Sequence, residues 1–126
     1  MSNFKILIFE DEEKWKDAFV FNVQPKIELN GKTCHILHRL DDSTLMQDLE
    51  WLPNVIMVDY DLVHLTGEQI IEAIANDPDY VSVSIFFYSG GESIDTLKAI
   101  ASKFECNIRC FTKEGDELEN AIINLV

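Results

Sequence analysis

Five short apolar runs recur along the chain at spacings of about two dozen residues: Phe4–Phe9, Thr33–His38, Val55–Val58, Val83–Tyr88 and Ile108–Phe111. All are rich in β-branched and aromatic residues, as strands are. The first and third are almost continuously apolar, which is the pattern of strands covered on both faces. Between the runs, apolar residues fall at helical spacing. A first helix is predicted from Glu12 to about Val23, carrying Trp15, Ala18, Phe19 and Phe21 to Val23, and Pro25 is expected to end that segment. Asp41 to Ser43 offer caps for Thr44–Leu52, which Pro53 stops. Thr66 or Gly67 opens Glu68–Ala75, Ser93 caps Ile94–Phe104, and Gly115 precedes Asp116–Val126, whose first turn is acidic as the helix dipole favours.

Strand and helix thus alternate five times. This predicts an α/β fold: a doubly wound, five-stranded parallel sheet of (βα)5, flavodoxin-like type, with strand order 2-1-3-4-5. Residues 1–126 are expected to form a single domain, with no output domain. A hydrophobic content of 47% excludes disorder, and no apolar run approaches a bilayer span. The opening stretch lacks a signal-peptide cleavage pattern. Cys34, Cys106 and Cys110 form an odd set without a metal-binding spacing and read as reduced thiols of a cytoplasmic protein. The net charge of −13 argues against direct nucleic-acid binding and suits a solvated surface, a cation or a basic partner.

Ligands of open parallel sheets bind at the carboxyl ends of the strands. Glu10, Asp11 and Glu12 follow the first strand, and Asp59 and Asp61 end the third. Ser89, Gly90 and Gly91 follow the fourth, and Lys113 follows the fifth. The predicted strand order makes the first and third strands neighbours, so Asp11 and Asp59 share one edge. Crowded carboxylates suit Mg2+, a hard cation that takes oxygen ligands. Ser89 supplies a hydroxyl and Lys113 a mobile positive charge for an anion. The set is suited to phosphoryl transfer to a carboxylate. Taken alone, each residue also has a plainer reading: Asp59 a strand-end turn acid, Asp11 a helix cap, Glu10 a surface acid, Ser89 a turn residue and Lys113 an exposed lysine. Glu12 and Glu13 read as first-turn helix acids, Trp15 and Trp51 as packing residues, and Phe86–Tyr88 as a buried strand end. His35 and His38 read as strand residues, and His64 lies in the loop after Asp59.

Over essentially the whole chain, these residues resemble the receiver domain of two-component response regulators. Lys5–Glu13 looks like that family's opening strand and acidic pair, and Asp59 stands where the family carries its phosphoacceptor. Gly67 follows Asp59 by eight residues and Ser89 follows it by thirty, at the family's switch Ser/Thr position. The resemblance implies a stand-alone receiver. Asp59 would take a phosphoryl group from a phosphohistidine of a histidine kinase or phosphotransfer protein, or from a small phosphodonor, and signal through an unknown protein target or a phosphorelay. Glu10, Asp11, Asp59 and the backbone carbonyl of Asp61 would hold Mg2+. Lys113 would pair with Asp59 and then with the phosphoryl oxygens, which Ser89 would also bond. Such a protein is not a turnover enzyme. The chain departs from the family at Leu62 and Val63 (often Met-Pro), Thr66 (often Asp), Glu114 (usually Pro) and Cys110 (usually aromatic). Two other functions fit parts of the pattern. One is an unphosphorylated receiver-fold adaptor. The other is a phosphatase of the haloacid-dehalogenase type, with Asp59 as nucleophile and Asp61 as general acid, although that family needs a later acidic motif for its metal.

Overall fold

A computed structural model describes residues 2–126. The strands are β1 (Ser2–Phe9), β2 (Lys32–Arg39), β3 (Val55–Asp59), β4 (Ser84–Ser89) and β5 (Asn107–Thr112). The helices are α1 (Glu13–Leu29), α2 (Leu45–Glu50), α3 (Gly67–Ala75), α4 (Ile94–Ala101) and α5 (Glu117–Ile123). All strand pairs are parallel, in the order β2-β1-β3-β4-β5. This is the doubly wound α/β sheet that the alternation predicts.

Side chains of a strand point alternately to its two faces, and the core divides accordingly. Phe4, Ile6, Ile8, Val55, Met57, Phe86, Tyr88 and Phe111 pack with α1 and α5. Leu7, Phe9, Ile56, Val58, Ile85 and Phe87 pack with α2, α3 and α4. The three central strands are sealed on both faces; every residue of β3 is buried.

Helix α1 departs from expectation. It runs through Pro25 to Leu29 instead of stopping near Val23. Phe19, Val23 and Ile27 follow one another at i+4 and are all buried in the core. Burying Ile27 is worth about 1.5–3 kcal/mol, comparable to the roughly 3 kcal/mol that an internal proline costs. Pro25 itself lies on the exposed face, as do Ala18 and Phe21, which the helical reading had counted among its apolar positions. Helix α2 stops at Glu50, before Pro53, and Leu52 takes a left-handed φ of 59°. Buried Asp48 pins α2 to β2 through a two-pronged contact with Arg39 and accepts the Thr44 hydroxyl. Helix α3 begins with a Thr66–Gln69 capping box, and α4 with Ser93 accepting the Thr96 amide.

Candidate functional site at the carboxyl edge of the sheet

Strand register builds the site. Ile8 pairs with Met57 and Phe9 with Val58, so one step further Glu10 comes level with Asp59. Asp59 pairs with Tyr88, and Tyr88 with Phe111. Two residues beyond Phe111 along the same face stands Lys113. Glu10, Asp59, Tyr88 and Lys113 therefore converge on the α1/α5 side, continuing the rows of core residues below them.

The convergence is tight. Lys113 Nζ lies 3.1 Å from Asp59 Oδ2 and 3.1 Å from both carboxylate oxygens of Glu10. It also contacts Glu12 Oε1 at 3.2 Å. The buried Tyr88 hydroxyl donates to Glu10 Oε1 at 3.0 Å, and the Glu12 amide donates to Glu10 Oε2 at 2.9 Å. Trp15 stacks on Tyr88 with ring centroids 5.0 Å apart, and Lys113 Nζ sits 5.0 Å from the Trp15 ring. The lysine is thus held between two acids below it and two aromatic faces beside it. Its backbone amide is tied to the Ser89 carbonyl at 3.1 Å.

Glu10 and Asp59 are 0% and 1% exposed. Ligand oxygens of Glu10, Asp11 and Asp59 all lie within 4.8 Å of one another, so this acidic cluster, buried at Glu10 and Asp59 and half-buried at Asp11, has the make-up of a metal site. Its electrostatics are strained. Burial, and then the neighbouring Glu10 charge, push the Asp59 carboxyl up from 3.8 to about 7, against the opposing pull of Lys113. The same burial, with Glu10 and Asp59 beside it, drives the Tyr88 phenol far above its usual range. Burial alone would lower Lys113, but Asp59 and Glu10 outweigh it and leave the ammonium more firmly protonated than usual.

Ser89 has the opposite parity to Tyr88 and faces the other rim. Its hydroxyl donates to Asp61 Oδ2 at 3.1 Å and accepts the amides of Gly91 and Glu92 at 3.1 and 3.0 Å. The Asp61 amide donates to Asp59 Oδ1 at 3.1 Å. Gly67 is required where the loop after β3 returns: a Cβ there would lie 2.4 Å from the Asp59 carbonyl oxygen and 2.9 Å from Val58 Cγ1.

The six residues singled out from sequence, Glu10, Asp11, Asp59, Asp61, Ser89 and Lys113, all gather at this edge. Glu10, read above as either a ligand or a surface acid, is fully buried. Three participants were not foreseen. Glu12 contacts the lysine as well as preceding the helix. Trp15 packs, as expected, and also roofs Lys113. Tyr88 is more than a buried strand end, because its hydroxyl holds Glu10; a buried tyrosine in place of phenylalanine is the signal, since such a hydroxyl needs a partner. His38 Nε2 meets the Glu10 carbonyl oxygen at 2.6 Å, while His64 is exposed.

Several solved structures with the same architecture are receiver domains or response regulators. The signal receiver domain of a DNA-binding response regulator from Colwellia psychrerythraea 34H is 24% identical, with a TM-score of 0.75 over 98% of both chains. A response regulator from Chloroflexus aurantiacus J-10-fl, 16% identical, superposes with a TM-score of 0.76 over 98% of both chains. The fold is that of a receiver domain. A phosphorylated cyanobacterial phytochrome response regulator, RcpA, shares this receiver fold at 16% identity and a TM-score of 0.64, over 98% of this chain and 89% of its own. No family model matches the sequence, and no curated protein sequence matches it. Among the described residues, no helix is long and apolar enough to cross a membrane.

Proposed function

We propose that the protein is a response-regulator receiver that takes a phosphoryl group on Asp59 from a phosphohistidine donor. One observation carries the reading: a buried Asp59 carboxylate, 3.1 Å from Lys113, shares a 4.8 Å cluster with Glu10 and Asp11. The receiver fold supports it, because the nucleophile stands where the sheet opens to ligands.

The donor set is all oxygen and strongly acidic, which fits Mg2+. Glu10, Asp11 and Asp59 would hold the ion, with the Asp61 carbonyl as a further ligand. When bound, Mg2+ supplies charge neutralisation to the phosphoryl oxygens and the crowded carboxylates. The remaining work falls to the chain. An oxygen of ionised Asp59 attacks phosphorus, an O–P bond forms, and the P–N bond to the donor imidazole breaks with its electron pair leaving on nitrogen. Lys113, held by Glu10 and the Trp15–Tyr88 wall, follows the negative charge from carboxylate to phosphoryl oxygen. Ser89 donates its hydroxyl to a second phosphoryl oxygen. The partners are a histidine kinase or phosphotransfer protein and a downstream protein target, and a cytoplasmic setting suits both.

Intact-mass measurement after incubation with Mg2+ and a small acyl phosphate or phosphoramidate tests this. The expected result is one phosphoryl group on the wild type, with none on Asp59→Asn and none without Mg2+. Unmodified wild type under these conditions turns the assignment toward a phosphate-free adaptor. Release of inorganic phosphate from an ester by multiple turnovers turns it toward a phosphatase.

A further inference from the structure

The Ser89 hydroxyl has no spare bonding capacity. A serine hydroxyl has one proton to give and two lone pairs to receive. Here the proton goes to Asp61 Oδ2 at 3.1 Å, and the oxygen accepts the Gly91 and Glu92 amides at 3.1 and 3.0 Å. The residue is 1% exposed, so no solvent hydroxyl exchange relieves the arrangement. To bond a phosphoryl oxygen, Ser89 must donate, and its only proton is already committed.

Asp61 is placed to act on both sides of that choice. Its backbone amide holds Asp59 Oδ1 at 3.1 Å, while its side chain reaches across to β4 and takes the Ser89 proton. A neutral residue of similar size at Asp61 would accept less strongly, because hydrogen bonds to an ionised acceptor are about twice as strong as neutral ones. A phosphoryl group arriving at Asp59 would compete with the Asp61 carboxylate for the single Ser89 proton.

We infer that Asp61 is a latch: its carboxylate holds Ser89 and the Gly91–Glu92 turn in the unphosphorylated arrangement and thereby lowers the affinity of the site for a phosphoryl group. The inference rests on the reading of Asp59 as acceptor. Asp61 is a positioning residue here, acting through Ser89 and not on the reacting atoms.

Beryllofluoride with Mg2+, a mimic of a phosphoryl group on a carboxylate, is the probe. Its dissociation constant is measured by calorimetry for the wild type, Asp61→Ala, Asp61→Asn, Ser89→Ala and the Asp61→Ala/Ser89→Ala pair. Asp61 is exposed, so its variants fold. Asp61→Ala is expected to bind about threefold to tenfold more tightly than wild type, the loss of one charge-assisted bond between an exposed carboxylate and a buried hydroxyl, with Asp61→Asn between them. In the Ser89→Ala background the same change is expected to alter affinity less than about twofold, because the latch has nothing to hold. Unchanged or weaker binding by Asp61→Ala overturns the latch. So does an equal gain in both backgrounds, which assigns Asp61 to charge repulsion alone. Absence of binding to wild type and all variants removes the acceptor reading itself and the latch with it.

Discussion

Asp59 is expected to destabilise the fold that carries it when no cation is bound. Its carboxyl is pushed from 3.8 to about 7 by burial first and then by Glu10, and the 3.1 Å contact with Lys113 does not make up the difference. The sign follows from proton binding. A folded-state value above the unfolded one means that the native protein holds this proton more tightly than the unfolded chain. The stability is therefore fully present below about 4 and is lost as pH rises through about 7. One pH step across that window is worth about 1.4 kcal/mol, so the ionised group at pH 8 costs on the order of 4 kcal/mol. Asparagine matches the neutral acid in shape and never ionises. Asp59→Asn should therefore melt above wild type at pH 8 in EDTA, and even half the full effect, about 2 kcal/mol, raises Tm by roughly 6–10 °C for a chain of this length. The gap should shrink from pH 7 towards pH 5. It should also narrow at pH 8 with saturating Mg2+, which binds the native wild type and offsets the repulsion. Differential scanning calorimetry at pH 5, 6, 7 and 8, with and without Mg2+, gives every quantity needed. If Asp59→Asn melts at or below wild type at pH 8, the Lys113 ion pair outweighs burial and Glu10, and the electrostatic argument fails.

Three further outcomes are expected. Tyr88→Phe removes the 3.0 Å hydrogen bond to buried Glu10 without changing shape, and should cost about 1–3 kcal/mol in urea denaturation; a neutral result would mean that Lys113 and the Glu12 amide satisfy Glu10 without it. Gly67→Ala forces a Cβ to within 2.4 Å of the Asp59 carbonyl oxygen, so the loop must shift, with a loss of at least about 2 kcal/mol by the same assay and a weaker phosphoryl adduct by intact mass. Trp15 emission should change when beryllofluoride and Mg2+ draw Lys113 off its ring, 5.0 Å away, and should stay constant in Asp59→Asn; a Trp51→Phe background isolates the signal.

Much of this was legible because strand ends are written locally. A β-branched run followed by an acid, a serine or a lysine places that residue at the sheet edge whatever the tertiary details, so Asp59, Ser89 and Lys113 could be read directly. What was not legible depends on pairing between distant segments. Glu10 could be divided between ligand and surface roles only until register placed Tyr88, 78 residues away, with its hydroxyl on the Glu10 carboxylate. Trp15 reads as a packing residue from helical spacing, and nothing in that spacing says that Lys113 will lie over its ring. The extension of α1 through Pro25 fails in the same way: the local rule against internal proline is sound, but Ile27 has a core to enter, and only the folded sheet supplies it. Asp61 shows a finer limit. Its nearness to the site could be read from its position two residues after Asp59, but the partner of its carboxylate is fixed by the course of the turn after β4.

The charge balance of the site says what kind of ligand completes it. Among the described residues, no buried side-chain polar atom lacks a hydrogen-bond partner, so the geometry of the network is closed. Its charge is not. Glu10, Glu12 and Asp59 all converge on one ammonium, and Asp11 stands beside them. Hydrogen bonds satisfy each oxygen in turn but cannot remove the mutual repulsion of carboxylates in a dry site, and that repulsion adds to burial, the larger cause, in raising Asp59. A neutral ligand would leave the imbalance as it is, and an anion alone would worsen it. A divalent cation corrects it, and with the cation in place a phosphoryl group can be accepted next to Lys113 without adding to the surplus. On the proposed reading, the order of events follows from this arithmetic: cation first, phosphoryl group second, and Ser89 released from Asp61 last.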